Sequence, residues 1–457
     1  MTNSLCAIVL AAAVAAACTQ IPPEQQIVND AAAALGGRER IEAVNTLVLE
    51  GSATGYNMGQ DMTPDASGQT FTDDPYRRVI DMRAWRARVE RTRTPNFEYF
   101  QGRAPQTQTP SLDDEVYHHP VAALRAALEP AATFANARSE GGESLVSVTR
   151  ADGSSFTLAI DPSTKLPTRV ISATNNAVLG DVSVATGFAN YLDVDGLKLP
   201  TRLTTKTDDF TNIDIRLTRQ GVNGEAGSFA ARPTTSETAP TVAVEEIGPG
   251  LWLLAGQSHH SVVAEFGDHL MLIEAPSEAR TLAVIARARE LRPNKPLTQV
   301  VNSHHHFDHS GGIRAAVSEG LTVFTHRANA AFFEDLAARP HTRVPDALQK
   351  KPAQLKLQSV DDELVLKDET AEVRLYHIAG NPHGDAMLMA YFPRERVIVE
   401  ADAYSPGRPH QPYAANLLEN ITRRNLRVDR IVPVHGKPVA YAELVKAVQA
   451  MRASTSN

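Results

Sequence analysis

The chain has 457 residues, of which 42% are hydrophobic and 21% charged, and its formal net charge is −8. These values exclude a disordered or fibrous chain, leave room for two or three domains, and argue against a nucleic-acid polyanion as partner. The only two cysteines are Cys6 and Cys18, so the body of the chain has no disulfide and no cysteine-type zinc site; any metal must be held by histidine and carboxylate.

The first segment, "MTNSLCAIVLAAAVAAAC", carries an apolar run from Ala7 to Ala17 that is short for a bilayer span and fits a signal-peptide core. Residues 1–18 therefore predict export to the periplasm. The small residues before Cys18 resemble a lipobox, which implies a lipidated Cys18 and attachment to the membrane as an outer-membrane lipoprotein.

"IVNDAAAALGG" reads as a short helix closed by Gly36 and Gly37. From Thr46 the pattern turns to β: "NTLVLEGSATGY", "RVIDMRAWRARVERTR", "DVSVATGFANY" and "TNIDIRLTRQ" alternate apolar and polar residues in part, and "LDVDGLKLPTRL" places a hairpin turn at Asp195-Gly196. Residues 25–228 are expected to form a mainly antiparallel β domain. Its leading helix, meandering strands and "DVDGLKLPTRL" resemble the outer-membrane lipoprotein-carrier family, which implies an apolar concavity for a lipid or an envelope partner, or one that covers a neighbouring site. The arginines from Arg77 to Arg93 are interspersed with acids and read as a solvated strand face rather than an anion-binding one.

Residues 229–243, rich in Pro, Thr, Ser and Ala, read as a linker. Beyond it, residues 244–457 alternate strands and helices. Strands are expected at "HLMLIEA", Gln299–Val301, "LTVFT", "AEVRLYHI", "AMLMAYF", "RVIVE" and "RIVPV"; helices at Ser277 to Leu291, after Gly311-Gly312, at Asn416 to Arg427 and at the C-terminus. Continuous apolar strands between helices imply covered sheets, an α/β class.

"VNSHHHFDHSGG" lies where one of these strands ends and a helix is about to begin, so its side chains can converge on one point. His304 and His306 share a side in an extended segment, and Asp308 and His309 follow as the loop curves. Imidazoles crowded without a shared cation would repel on protonation and lack hydrogen-bond partners, which argues for a metal such as zinc.

The His-x-His-x-Asp-His pattern resembles the signature of the metallo-β-lactamase superfamily. The remaining residues of that signature follow in order: His383 in "AGNPHGDAM", Asp402 in "RVIVEADAYSP" and His435 in "RIVPVHGKP". The resemblance implies an αβ/βα sandwich preceded by the β domain. It also implies two Zn²⁺ ions, for which Fe or Mn could substitute: His304, His306 and His383 at the first, Asp308, His309 and His435 at the second, and Asp402 bridging. His305 is the spacer between ligands, and His377 is a weaker candidate than His383. Glu274 stands where the family has Asp, and Ala401 where it has Gly.

Such a site implies hydrolysis by a metal-bridging hydroxide, with Asp308 orienting the water and passing on its proton. The substrate would be a small molecule with an ester-like or amide-like bond: a lactone, thioester, β-lactam, phosphodiester or sulfate ester. Tyr404, His326 and His260 are candidate substrate contacts, with His259 and His260 both open. Two other readings stay open: an iron-dependent persulfide dioxygenase-like enzyme, and an envelope lipid- or partner-binding protein with vestigial activity.

Overall fold

The computed structural model describes residues 21–97, 104–229, 240–256 and 258–455. The expected signal segment with Cys18, and residues 230–239 of the expected linker, lie outside them. No helix among the described residues is long and apolar enough to cross a membrane.

The first helix, Pro23–Leu35, ends where Gly36 and Gly37 take φ of 139° and 99° and the Gly37 N–H donates to the Ala32 carbonyl. Next comes an antiparallel sheet, eleven-stranded among the described residues, in which the first strand, Thr46–Tyr56, pairs with the last, Phe210–Val222, and every other pair joins sequence neighbours, with Gln106–Gln108 and Thr133–Glu140 at the two edges. The expected hairpin forms at Asp195-Gly196, with φ of 53° and 78° at its corner residues.

Two helices cover one face of this sheet. Val28, Ala31 and Leu35 from Pro23–Leu35, and Val121 and Leu124 from Pro120–Ala127, share a core with Leu47, Ile80, Val146, Leu158 and Leu203. This face of the sheet is therefore packed with the chain's own side chains. The Pro120–Ala127 helix had no sequence signature, because every residue except Arg125 is buried and no polar face marks its period. The arginine-rich strands form an ion-paired lattice: Arg77 meets Glu50 and Glu90, Arg88 meets Glu90, and Arg91 and Arg93 converge on the fully buried Asp73.

The C-terminal half is a four-layer sandwich. Among the described residues, seven strands from Ala243–Gly248 to Lys356–Val360 form one sheet and six from Glu363–Lys367 to Val439–Ala440 the other. Leu253, Ile273, Val301 and Phe324 of the first sheet pack between the sheets against Leu375, Leu388, Val399 and Val432 of the second. Helices Glu278–Leu291, Ile313–Ser318 and Ala330–Ala338 close one outer face, and Ala414–Arg423 with Tyr441–Thr455 close the other. The helix expected at Asn416–Arg427 starts two residues earlier and stops at Arg423, because Asn425 adopts φ of 53° and the Leu426 N–H turns back to the Ile421 carbonyl. Ala243, placed in the linker on composition, already pairs with Ala255.

The halves meet at two seams. Asp181 accepts from the Thr342 and Arg343 amides, and Arg339 donates to the Leu179 carbonyl and the Asp208 carboxylate. At the second seam, the loop after Thr46–Tyr56 lies on the histidine-rich turn, where the Phe307 N–H donates to the Gly59 carbonyl.

Candidate metal centre

The histidine cluster leaves the strand Leu297–Val301, which runs parallel to both its neighbours in the first sheet. Asn302 to His306 continue extended, and a single turn, Phe307–Ser310, brings Asp308 and His309 around. The turn is pinned from inside: Asn302 Nδ2 donates to the His309 carbonyl at 3.0 Å, and Ser310 Oγ to the His305 carbonyl at 2.9 Å. Gly312 is needed for close approach rather than for an unusual backbone. Its φ is −102°, but a Cβ there would fall 2.0 Å from Thr281 Oγ1 and 2.7 Å from the Ala275 carbonyl.

The seven residues matched to the signature come together in two adjoining groups. His304, His306, His383 and Asp402 form one; Asp308, His309 and His435, joined by His259, form the other; within each group the candidate donor atoms lie within 4.8 Å of one another. Asp402 stands between the groups. Its Oδ2 is 2.7 Å from His309 Nε2, 3.3 Å from His383 Nε2 and 3.6 Å from His304 Nε2, and its Oδ1 is 3.4 Å from His435 Nε2. Asp402 adopts φ of 60°, so the left-handed residue of this turn is the carboxylate itself and not Ala401.

Four of the rings have one nitrogen anchored outside the centre, which leaves the other facing in. His304 Nδ1 lies 2.9 Å from Ser303 Oγ; His306 Nε2 donates to the Asp61 carbonyl at 2.8 Å; His309 Nδ1 donates to Glu274 Oε2 at 2.7 Å; His435 Nδ1 donates to the Ser258 carbonyl at 2.9 Å. The inward atoms His304 Nε2 and His306 Nδ1 are buried and lack any hydrogen-bond partner among the described residues. Buried lone pairs converging beside a carboxylate are costly unless a cation is there to receive them, so the donor set fits a borderline divalent metal.

The charges agree with that fit. Burial, then the neighbouring imidazoles, push His304 and His306 well below the ordinary histidine range, so both present neutral rings. His309 goes the other way: burial opposes its charge, but Asp402 and Asp308, with hydrogen bonds to Asp402 and Glu274, hold its proton well above that range. That proton sits where a cation would, and metal uptake would release it. Burial works against ionisation of Asp308 too, and His309, His259 and Gln60 outweigh it, keeping the carboxylate charged.

Of the other sequence candidates, His259 joins the centre. His305 is 1% exposed and packs edge-on against Phe332. The His326 and His377 rings meet at 35° with centroids 4.2 Å apart, and His377 Nε2 donates to the Asp385 carbonyl. Tyr404 is buried in the apolar cluster under the second sheet with Tyr376, Leu417 and Leu444, which accounts for it as core rather than as a substrate contact. Of the His259-His260 pair, His260 accepts from the Gly256 amide, while His259 Nε2 approaches Asp308 Oδ2 at 3.2 Å. The doublet could have been resolved by its place just before the strand Ser261–Glu265, where consecutive side chains point to opposite sides. Glu274, flagged in the sequence only as a departure, anchors the ligand turn: its Oε1 accepts from the Ser303 amide at 2.7 Å while Oε2 holds His309.

A cavity of about 550 Å³ opens beside this centre, lined by Ser258, His259, Pro276, Ser277, Arg280 and Asp308 with Pro240 and Thr241.

Residues 255–435 match the sequence profile described as the Metallo-beta-lactamase superfamily. Among solved structures, the DIM-1 metallo-beta-lactamase is 15% identical, covering 47% of this chain and 99% of its own, with a TM-score of 0.38. The FIM-1 enzyme from Pseudomonas aeruginosa, in a mono-zinc form, is 16% identical over 47% of this chain and 96% of its own, at a TM-score of 0.36. A metallo-beta-lactamase from Hirschia baltica is 18% identical over 46% and 96%, at 0.34. No curated protein matches the chain.

Proposed function

We propose that the chain, whose residues 255–435 match the metallo-β-lactamase superfamily profile, is a metallo-hydrolase that uses two divalent cations, zinc first among them, to cleave an ester-like or amide-like bond in a small molecule. The observation that carries the two-metal reading is Asp402, whose carboxylate lies within 3.6 Å of nitrogens from both histidine groups. His304, His306 and His383 would hold one cation, and Asp308, His309 and His435 the other, with Asp402 shared.

When bound, such a pair of ions lowers the pKa of water toward neutrality and polarises the oxygen of the bond under attack. The protein supplies position and proton transfer. Asp308 keeps one oxygen toward His259 and His309, at 3.2 and 3.7 Å, and is held ionised. As a carboxylate it can accept a hydrogen bond from an attacking water, orient it and pass its proton toward the leaving atom. The cavity beside Asp308 gives a substrate its approach, and His259 at its rim can donate to a substrate oxygen.

The test pairs metal analysis with a substrate screen. Protein purified without chelator should carry about two equivalents of transition metal, and His306→Ala and Asp308→Ala should each lose about one. Lactones, thioesters, β-lactams, phosphodiesters and sulfate esters are then offered to the loaded wild type, with oxygen consumption followed in parallel. A wild type without stoichiometric metal, or one that consumes oxygen and hydrolyses nothing, overturns the reading.

A further inference from the structure

The β domain at residues 25–228 reaches into the metal centre. The segment 57–69, between the strands Thr46–Tyr56 and Thr70–Asp81, is braced within itself: Asp61 Oδ1 accepts from the Met62 amide and Oδ2 from the Gln69 amide, each at 2.7 Å, and Asn57 Nδ2 donates to Gln69 Oε1 at 2.9 Å. Asp61 is 4% exposed, so these bonds are shielded from water and the loop has one shape to offer.

That shape is spent on the ligand-bearing segments. Gln60 Nε2 donates to Asp308 Oδ1 at 2.7 Å, which turns Oδ2 toward His259 and His309. The Asp61 carbonyl accepts from His306 Nε2 at 2.8 Å, which fixes the tautomer whose bare Nδ1 faces the centre. The Gly59 carbonyl accepts from the Phe307 amide and the Met62 carbonyl from the Asp385 amide, both at 3.0 Å, so the loop is bonded to both the 306–308 and the 383–385 stretches. Gly59 takes φ of 71°, and a Cβ there would lie 2.4 Å from the Phe307 ring; the contact leaves no room for a side chain.

Two consecutive residues of one domain thus orient two ligands of the other, one from each group. We propose that the 57–69 loop is a working part of the metal centre, with Gln60 a positioning residue for Asp308 and the Asp61 carbonyl the group that sets the His306 tautomer. This rests on the metal-dependent function above and assigns the β domain a role in it: the centre reaches its ligating geometry only with that domain docked.

The experiment uses the full chain with Gln60→Ala and Asp61→Ala, zinc affinity measured by competition with a chromophoric chelator, and the visible spectrum of the cobalt-substituted protein. Gln60→Ala removes only a side-chain donor and keeps the fold; Asp61→Ala loosens the loop that presents the carbonyl. Loss of a group that orients a ligand lowers metal affinity by about 10- to 100-fold. Gln60→Ala should show that loss for one equivalent, a changed cobalt spectrum, and a lower kcat with KM nearly unchanged. Asp61→Ala should weaken the equivalent that needs His306. Variants that bind both equivalents as wild type does, with an unchanged cobalt spectrum, overturn this proposal and leave the metallo-hydrolase reading standing. A wild type that takes up no metal overturns both.

Discussion

Glu274 and His309 are joined by a 2.7 Å hydrogen bond with neither side chain exposed to solvent. One carboxylate oxygen holds the ring and the other accepts from the Ser303 amide, so a single residue at the end of the strand Leu270–Ile273 fixes both ends of the ligand turn. Glu274→Ala should lower the affinity for one metal equivalent by about 10- to 100-fold. Leaving the Ser303 amide buried and unpaired should also cost about 1–3 kcal/mol of stability. Chelator competition and urea denaturation read the two effects separately, and a Glu274→Ala protein that retains wild-type metal affinity would show that the carboxylate is not an anchor.

His305 lies among metal-site residues without belonging to either group. It is buried, with its ring edge-on to Phe332 at 6.0 Å, and burial followed by the neighbouring His383 lowers its pKa to about 4. A neutral, packed ring can be exchanged for a hydrophobic one, so His305→Leu should keep the full metal complement and most of the activity at a stability change of about 1 kcal/mol. Metal analysis beside His306→Ala provides the contrast. Equal metal loss in the two would make His305 a ligand.

The candidate metal centre was legible where chemistry is local. His304, His306, Asp308 and His309 lie within six positions, Asp402 and His435 each sit two residues past a strand, where apolar runs announce themselves, and His383 lies in the turn before the strand Leu388–Phe392. The supporting groups were not legible. Gln60 and Asp61 are 248 and 245 residues from the atoms they hold, and their own loop has no pattern that names a partner. Tyr404 misled for a related reason: two residues beyond a ligand it looked like a substrate contact, but Asp402 takes positive φ and the chain then dips into the core. The β-rich character of the first half was plain from alternation. The helix that fills its apolar face was hidden by being apolar nearly all round.

Inside the β domain, His118 and His119 are both 0% exposed, and burial, then the Arg78 guanidinium, lowers each from 6.5 to about 3. The unfolded chain takes up these protons near pH 6.5, while the folded chain refuses them until about pH 3. In that window the unfolded state binds more protons, so stability rises with pH and is lost on acidification, by about 1.4 kcal/mol per pH unit for each histidine. Trp85 is in this domain and Trp252 in the other, so Trp252→Phe makes fluorescence report the β domain alone. His118→Gln should lower the slope by one histidine's share. An unchanged slope would mean that His118 is already protonated when folded, with Ser172 and Thr186 as its acceptors.

The seam at Asp181 and Arg339 lies on elements that carry no metal ligand, yet it bears on the centre through rigidity. Asp181 accepts from the Thr342 and Arg343 amides at 2.9 and 3.0 Å, and Arg339 donates to the Leu179 carbonyl and to Asp208, each at 2.6 Å. Between them Gly180, at φ of 75°, lies so close that a Cβ would fall 2.4 Å from the Pro340 carbonyl. This second point of attachment restrains rocking of the two domains about the other seam, where Gln60 bonds Asp308 at 2.7 Å. Asp181→Ala combined with Arg339→Ala should free that motion. The Trp85 and Trp252 unfolding transitions should then separate, and zinc affinity should fall several-fold, less than the roughly 10-fold minimum expected for removing an orienting group outright. Coincident transitions with wild-type affinity would mean that the loop seam alone docks the domains.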